Sequence, residues 1–341
     1  MRIDCENWPG WPHNRPAIIA EVGINHGGDK NLAWEMILAA HENGADFIKL
    51  QTYSTERFFH PSLSYFNSTK SMELSDECTA ELFSNSAKKG IQLFTTPFDS
   101  ESVDFIETFS PKLYKIASMD NDNIPLIQNI AKRGRPLIVS CGMADLNEIE
   151  QVLSTVKEEK NDFLVLLHCV SDYPAMPDSL NLEMISFLKK RFNVPVGFSD
   201  HAIGLHSAYM AISLGAAIIE KHFTTDRKLS DQMPDADHEI SIEPRELKEL
   251  RAFCGAVPLM RGKAPRTITP GEEQGRTTFR RGLYTKKPVK AGDKISLKNT
   301  VLLRPVQGIA ANQWLKVCGK TFIREMDSLE AISLSDLDIN T

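Results

Sequence analysis

Apolar residues along this chain fall into short runs that alternate with longer amphipathic segments. Eight short runs are rich in β-branched and aliphatic residues with little in–out alternation, which is typical of strands in a parallel sheet covered on both faces. The longer segments have helical spacing of apolar residues, as in residues 31–44, which end at Gly44. The strand-like runs occupy residues 17–23, 46–53, 91–98, 112–118, 136–142, 163–170, 194–200 and 216–224.

The number of strand–helix units predicts the fold class. Eight units within about 245 residues match the count and size of a (β/α)8 TIM barrel. An open doubly wound sheet is the alternative, but no G-x-G-x-x-G sequence follows the first run. We therefore predict an α/β protein with a catalytic barrel over residues 1–260.

The last part of the chain has a different pattern. Residues 261–279 are polar without a sustained apolar repeat, and we interpret them as a linker. Residues 280–341 then predict a small β-rich domain. A domain of about 60 residues is marginally stable by itself, so we expect it to dock on a barrel.

Composition and charge narrow the range of partners. The 341 residues carry a net charge of −6, which argues against nucleic acid or an anionic membrane as a partner. The N-terminus lacks the features of a signal peptide, and no apolar stretch approaches the roughly 20 residues of a membrane span. The six cysteines form no C-x-x-C pair, which favours buried, reduced thiols. We expect a soluble, cytoplasmic protein that binds small molecules.

Polar residues end all eight strand-like runs, where a TIM barrel has its active site. Lys49 and Lys115 each lie between apolar neighbours, and a buried ammonium group costs several kcal/mol unless it is paired. Lysines that extend to solvent are the alternative. Because serine hydroxyls end other runs, we favour a site for a phosphate and a carboxylate. The other residues at these ends include Glu21, Gln51, Thr96, Ser118, Ser140, His168, Tyr173, Ser199, Asp200 and Glu220.

Two histidines end consecutive strands, in GFSDHAIG and AIIEKHFTTD. Neighbouring parallel strands lie about 4.8 Å apart, so His201 and His222 are close enough to share one divalent cation. Two hydrogen-bonded structural histidines fit the pair equally well, but the nearby Glu21 and Asp237 favour a metal. A site with two imidazole ligands keeps open positions, which suits Lewis-acid activation of a carbonyl.

The connection after the second strand-like run is rich in aromatic residues. Residues 54–71 are too many for a simple connection, and they predict either a lid or a disordered loop.

Several stretches together resemble the sialic acid synthases, also called N-acetylneuraminate or nonulosonate synthases. The stretches lie in order between residues 18 and 247, and as a set they are highly specific. Residues 280–341 resemble the antifreeze-like (SAF) domain of the same family, which implies a domain-swapped homodimer. The matching stretches are IIAEVGINHGGD, GADFIKLQTY, LFTTPFDSESVDF, KIAS, IVSCGMA, LLHCVSDYP, GFSDHAIG, IEKHFTTD and DADHEISIEPREL.

The resemblance implies a reaction and a set of site residues. Phosphoenolpyruvate would condense with an N-acyl hexosamine such as N-acetylmannosamine, giving a nine-carbon 2-keto sugar acid and phosphate for surface polysaccharide biosynthesis. The cofactor would be Mn²⁺ or Mg²⁺, held by His201 and His222, with Glu21 as a further catalytic residue. The residues implied for phosphoenolpyruvate are Lys49, Thr96, Lys115, Ser118, Ser140 and Ser199. Those implied for the sugar are Gln51, Asp120, Tyr173, Asp237 and Arg304.

Departures from the family pattern lie near the sugar. They are Asp120, Ser171, Asp172, Pro234 and Ala236. The acceptor is therefore open between N-acetylmannosamine and a 6-deoxy-diacetamido hexose, and a member of the spore-coat-polysaccharide type with another acceptor is an alternative. A metal-dependent aldolase or lyase on the same barrel and a non-catalytic scaffold are two further alternatives.

Overall fold

The computed structural model of the chain describes residues 11–12 and 14–338, in two compact units, Met1–Gly262 and Lys263–Thr341. The first unit is the predicted (β/α)8 barrel. Its strands, all within the predicted runs, are β1 (Ala17–Gly23), β2 (Phe47–Thr52), β3 (Leu93–Pro97), β4 (Tyr114–Ile116), β5 (Leu137–Ser140), β6 (Leu164–Cys169), β7 (Val196–Asp200) and β8 (Ile218–His222).

The eight strands are parallel and hydrogen-bonded in the order β3-β2-β1-β8-β7-β6-β5-β4. Residues of β3 and β4 also lie within 8 Å of each other, which nearly closes the ring. The prediction of a closed barrel rather than an open sheet is confirmed.

Each strand is followed by a helix that packs on the outside of the sheet. Local signals fix their ends: Asp29 accepts hydrogen bonds from N–H groups in the first turn of α1 (Lys30–Glu42), and Gly90 ends α4 (Asp76–Lys89) with φ of 71°. Two short helices, α2 and α3, lie inside the long connection after β2. The helices of this unit are α1 (Lys30–Glu42), α2 (Thr55–Phe58), α3 (Phe66–Ser71), α4 (Asp76–Lys89), α5 (Ser100–Glu107), α6 (Ile124–Ala131), α7 (Leu146–Glu158), α8 (Glu183–Phe192), α9 (His206–Ser213) and α10 (Pro244–Arg261).

Side chains of the strands alternate between two apolar clusters. Residues such as Ile18 and Ile48 face outward and join the large core between sheet and helices. Their neighbours, one residue along, form a second cluster inside the N-terminal half of the barrel, which we call the apolar layer. The apolar layer consists of Trp11, Ala17, Ile19, Phe47, Phe94, Leu113, Ile138, Val165, Leu167 and Ile218.

The second unit has short strands around a core of its own. One helix, α11 (Pro270–Phe279), lies within the segment that we interpreted as a linker, and its N-terminus has a capping box formed by Thr269 and Glu272. Antiparallel pairs join β9 (Gly282–Thr285) to β10 (Thr300–Leu303) and β11 (Thr321–Phe322) to β12 (Leu337–Asp338), and α12 spans Trp314–Val317. The core residues are Leu283, Val289, Ile295, Ile309, Val317, Phe322, Met326, Ile332 and Leu337.

Two expectations from composition can be compared with this structure. Within residues 11–12 and 14–338, no helix has the length and apolarity required to cross a bilayer. The described cysteines are free thiols, but only three are buried, because Cys318 is exposed and Cys78 is half-buried. The sixth, Cys5, lies outside the described residues. The buried thiols are Cys141, Cys169 and Cys254.

Candidate active site

A cavity of about 560 Å³ lies at the C-terminal ends of the barrel strands. It contains all but one of the barrel-unit residues to which the sequence assigned a catalytic or binding role. These residues come from the strands of the barrel or from the loops that follow them, so the barrel brings together positions that are far apart in the chain. The predicted residues that line the cavity are Glu21, Lys49, Gln51, Thr96, Lys115, Ser118, Ser140, Tyr173, Ser199, His201, His222 and Asp237.

The inward positions of the strands explain why these side chains meet. Those carried by the strands lie two residues beyond an inward position lower in the barrel, because side chains alternate along a strand. Phe47 of the apolar layer is followed inward by Lys49, and Ile218 by Glu220. We call this second set the polar layer. It consists of Glu21, Lys49, Thr96, Lys115, Ser140, Ser199 and Glu220.

The two lysines of the polar layer are buried, as predicted, and each faces a carboxylate. Lys49 Nζ lies 2.7 Å from Glu21 Oε1 and 3.8 Å from Glu220 Oε2, and it donates to Thr96 Oγ1 at 3.1 Å. Lys115 Nζ lies 3.5 Å from Glu220 Oε1. The ammonium groups therefore do not extend to solvent, and the alternative of surface lysines is wrong.

Glu220 lies between the two lysines. Its Oε1 also accepts a hydrogen bond from Ser199 Oγ at 3.0 Å. Burial opposes its ionisation, but Lys115 and Lys49 lower the pKa of Glu220 to about 2. Glu220 therefore carries the negative charge that compensates the buried ammonium groups.

Glu21 has a different electrostatic environment, although it contacts Lys49. Burial raises the pKa of Glu21 to about 7, and the charge of Glu220 adds to this effect while Lys49 opposes it. Gln51 Nε2 donates to Glu21 Oε1 at 3.2 Å, and Glu21 Oε2 is buried without a hydrogen-bond partner. This oxygen is available to a group bound in the cavity.

Several hydroxyls also lack partners or lie unusually close together. Ser140 Oγ and Ser171 Oγ are buried without hydrogen-bond partners. The backbone N–H of Gly142 donates to Ser118 Oγ at 3.1 Å, and a Cβ at Gly142 would lie 2.3 Å from Ser171 Oγ. Only glycine allows this close approach, which concentrates hydroxyl groups on the side of the cavity formed by β4, β5 and β6.

The two predicted metal-ligating histidines lie side by side. Their ring centroids are 5.4 Å apart, and the Tyr173 ring stacks on His201 at 4.1 Å. His201 Nδ1 lies 2.8 Å from the Val170 carbonyl oxygen, to which it donates, so Nε2 keeps its lone pair. His222 Nδ1 is buried, has no hydrogen-bond partner and lies 3.4 Å from Asp237 Oδ2.

These side chains fit a divalent cation that retains open coordination positions. Burial and His222 lower the pKa of His201 to about 4, while burial and Lys49 lower that of His222 to about 3. Both rings are therefore neutral near pH 7 and able to act as ligands. Across the described part of the chain, no three or more His, Cys, Asp or Glu side chains are grouped so as to enclose a metal. Two imidazoles with one nearby carboxylate agree with an open site.

Among the predicted sugar-binding residues, Asp120 does not line the cavity, and Arg304 belongs to the other unit of the chain. Asp120 ends a short 3₁₀ turn, Ser118–Asp120, and its Oδ1 accepts from Asn123 Nδ2 at 3.3 Å. Arg304 belongs to the second unit, where its Nε donates to the Phe279 carbonyl oxygen at 2.6 Å. Their assignment to the sugar stays a prediction.

The structure adds residues that the sequence analysis did not assign to a role. Glu220 appeared only among the polar strand ends, although its spacing of two residues from His222 was a signal that it faces inward. Residues 54–71, interpreted as a lid or a disordered loop, contribute Phe58, Phe59 and Tyr65 to the cavity. Phe58 stacks near Phe98 with centroids 4.3 Å apart, so one side of the cavity is an aromatic wall.

Comparison with known families identifies relatives along most of the chain. The model of the NeuB family matches residues 36–265. N,N'-diacetyllegionaminic acid synthase of Legionella pneumophila is 35% identical over 320 residues, covering 89% of each chain. Pseudaminic acid synthase of Campylobacter jejuni is 32% identical over 333 residues, covering 94% of this chain and 96% of the relative.

A solved structure supports the same relationship. The crystal structure of N-acetylneuraminic acid (sialic acid) synthetase from Leptospira borgpetersenii is 38% identical, with a TM-score of 0.71 over 76% of this chain and 90% of that one. The named relatives are thus synthases of nonulosonic acids.

Proposed function

The chain belongs to the NeuB family, and on that premise we propose that it condenses phosphoenolpyruvate with an N-acyl hexosamine. The products are a nine-carbon 2-keto sugar acid and inorganic phosphate. The observation that carries this proposal is the polar layer, in which two buried lysines and several hydroxyls face the same cavity as His201 and His222.

The lysines and hydroxyls suit a ligand with two anionic groups. A phosphate accepts several short hydrogen bonds, and Lys115 with Ser118, Ser140 and Ser199 provides an ammonium group and three hydroxyls. Lys49 and Thr96, which contact each other, would bind the carboxylate end. Glu21 and Glu220 balance the lysine charges until the anion enters, so the site does not hold unpaired ammonium groups.

The histidine pair suits the aldehyde of the second substrate. A divalent cation on His201 and His222, Mn²⁺ or Mg²⁺, would supply Lewis-acid polarisation of the carbonyl oxygen. The hydrogen bond from His201 Nδ1 to Val170 orients that ring with Nε2 free. Asp237, close to His222, would orient the imidazole ring or accept a hydrogen bond from a hydroxyl group of the sugar.

The bond changes then follow in order. Carbon 3 of phosphoenolpyruvate attacks the aldehyde carbon and forms the new C–C bond, while the aldehyde oxygen gains a proton. Water adds at carbon 2 and loses a proton, for which the unpartnered Glu21 Oε2 is the available acceptor. The bond between carbon 2 and the phosphate oxygen then breaks while the new hydroxyl group on carbon 2 gives its proton to the leaving phosphate, which leaves a ketone and inorganic phosphate.

The sugar side of the cavity combines polar and aromatic groups. Gln51, Tyr173 and Asp237 can bind hydroxyl or amide groups, while Phe58 and Phe98 present apolar faces. Such a mixture suits a sugar with acetamido methyl groups. The relatives named for legionaminic and pseudaminic acid make a 6-deoxy-diacetamido hexose a candidate acceptor beside N-acetylmannosamine.

A phosphate-release assay with Mn²⁺ against a panel of hexosamines tests the proposal. We expect phosphate only when phosphoenolpyruvate and one acceptor are both present. An aldolase would instead use pyruvate and release no phosphate, and a scaffold would show no turnover with any sugar. Either result would contradict the proposed function.

The sugar-binding role of Arg304 and the homodimer also stay predictions. If Arg304 binds the N-acyl group, Arg304→Ala raises KM for the sugar by about tenfold, the effect of losing one charged hydrogen bond. Equal changes in KM for both substrates would contradict this role. The homodimer is tested by the mass of the protein in solution.

A further inference from the structure

We infer that the buried ion pair between Asp200 and Lys221 positions His201 and His222, and thereby sets the affinity of the site for a divalent cation. The inference rests on the proposed metal-binding role of the two histidines. Neither Asp200 nor Lys221 lines the cavity, so their effect on the metal would be indirect.

The pair lies directly behind the histidines. Asp200 and Lys221 are register partners in the ladder between β7 and β8, and each immediately precedes one of the two histidines. Lys221 Nζ lies 3.1 Å from Asp200 Oδ2, and both side chains are fully buried. The pair therefore links the two strand ends from the outer side of the barrel.

Both members of the pair also bind the backbone beyond His201. Asp200 Oδ1 accepts from the Ala202 N–H at 2.9 Å, and Lys221 Nζ donates to the Ala202 carbonyl oxygen. Ser207 Oγ holds the second Asp200 oxygen at 2.7 Å. Since residues on both sides of His201 are fixed in this way, the backbone that carries its imidazole has little freedom to move relative to β8.

Two backbone hydrogen bonds outside the pair hold each histidine separately. The His201 carbonyl oxygen accepts from the Ala175 N–H at 3.1 Å, and that of His222 accepts from the Ile242 N–H at 2.8 Å. Each of these bonds ties one histidine to its own surroundings. The Asp200–Lys221 pair adds a side-chain link between the two histidine-bearing segments, beside the backbone ladder of β7 and β8.

Fold stability alone does not require an ion pair here. Two charges taken out of water gain little over apolar groups of similar volume, because desolvation offsets their attraction. What the pair provides is directional bonding, which apolar packing does not supply. In metal sites, the groups that orient the ligands commonly change metal affinity by about 10–100-fold when they are replaced.

The test is Mn²⁺ binding to the full chain, measured by calorimetry and by electron paramagnetic resonance after removal of bound metals with a chelator. The main variant is Asp200→Asn/Lys221→Met, which leaves no buried charge and preserves volume, so it is expected to fold. We expect its Kd for Mn²⁺ to rise by about 10–100-fold and the spectrum of the bound ion to change. Asp200→Asn alone keeps an oxygen for the Ala202 N–H but leaves Lys221 buried without its carboxylate, which lowers stability. In the folded protein it should give a smaller rise in Kd.

A matched control is available at the other end of the barrel. Asp46 pairs with Arg15 at 2.8 Å and accepts from the Ile18 N–H at 2.9 Å. We expect Asp46→Asn to lower the unfolding temperature without changing the Kd for Mn²⁺. A pair that matters only for stability would give the same result at Asp200 and Lys221.

The outcomes separate this inference from the proposed function. If the wild-type protein binds Mn²⁺ and both Asp200 variants bind it equally well, the positioning role is wrong and the metal site stands. If the wild-type protein binds no Mn²⁺, the metal-binding role of the histidines is wrong, and the inference fails with it. A changed Kd in the isosteric Asp200→Asn variant supports the inference even if the double variant does not fold.

Discussion

The apolar layer and the polar layer are built by the same strands only two residues apart, yet they differ in how their atoms are satisfied. In the apolar layer, Phe47 packs against Phe94 with ring centroids 6.2 Å apart, and close packing is all that its neighbours require. In the polar layer, Glu21 Oε2, Ser140 Oγ and Glu220 Oε2 are buried without hydrogen-bond partners. Such atoms are rare in folded proteins, and here they face a cavity.

This difference indicates that the apolar layer stabilises the fold, whereas the polar layer reduces stability in order to bind a ligand. The apolar layer lies at the N-terminal end of the strands and closes the bottom of the cavity. The polar layer brings charges and unsatisfied oxygens into the same interior, which is favourable only when a ligand completes their bonds. Substitutions in the two layers should therefore affect different measurements.

The largest effect is expected from the removal of a proposed metal ligand above the polar layer. His222→Ala should lower kcat by about 10³-fold or more, because Lewis-acid stabilisation contributes several kcal/mol and each 1.36 kcal/mol is a factor of ten. The unfolding temperature should stay near that of the wild type. Steady-state phosphate release and circular dichroism measure the two quantities.

A chelator is the matching experiment on the wild-type protein. Removal of divalent ions should abolish turnover, and Mn²⁺ should restore it in the wild type but not in His222→Ala. Wild-type rates in the variant would refute the metal assignment.

The second effect is on stability and belongs to the apolar layer. Phe47→Ala removes a buried ring and should lower the free energy of unfolding by about 3–5 kcal/mol. Urea denaturation measures this loss. The kcat of the fraction that remains folded should be close to wild type, because Phe47 does not line the cavity. A large loss of kcat without loss of stability would contradict the separation of the two layers.

The sequence was sufficient to predict the barrel and most of the cavity for one physical reason. Strand ends of a closed parallel barrel converge, so a list of polar strand ends becomes a list of neighbours. Lys49, Lys115, His201 and His222 meet for this reason alone. Of the predicted residues in the barrel unit, Asp120 does not line the cavity, because it ends a short turn after β4 where its Oδ1 accepts from Asn123 Nδ2, and its role at the sugar stays a prediction.

Other features depend on contacts that strand order does not reveal. The position of Glu220 between two lysines requires knowledge of which strands lie across the barrel from each other. The structure of residues 54–71 depends on packing of Phe58 against Phe98 rather than on local periodicity. The pairing of Asp200 with Lys221 was also missed, although the charges beside the histidines stood out in the sequence.

The third effect is a loss of kcat/KM for phosphoenolpyruvate, and it is expected from a substitution in the polar layer. Lys115→Met should lower kcat/KM for phosphoenolpyruvate by about 100-fold, since a buried charged hydrogen bond to an anion contributes about 2–5 kcal/mol. Burial lowers the pKa of Lys115, so its ammonium group is less favourable in the folded protein than in water. Glu220 keeps Lys49 as an ionic partner when Lys115 is removed, so the unfolding temperature should fall less than in Phe47→Ala. A loss of stability as large as that of Phe47→Ala would make Lys115 a structural residue.

The smallest and most direct comparison uses two inward residues of β5. Ile138 belongs to the apolar layer and Ser140 to the polar layer, and both are buried. Ile138→Val should lower the free energy of unfolding by about 1 kcal/mol and leave the kinetics unchanged. Ser140→Ala should instead change the kinetics without lowering the free energy of unfolding, because its Oγ has no hydrogen-bond partner to lose.

For Ser140→Ala we expect stability equal to or above that of the wild type and a rise of about tenfold in KM for phosphoenolpyruvate, the effect of one hydrogen bond to a charged group. Urea denaturation and initial-rate kinetics on the two variants complete the comparison. If Ser140→Ala were destabilising and kinetically silent, its hydroxyl would have a partner inside the protein, and the polar layer would be a structural network rather than a ligand site.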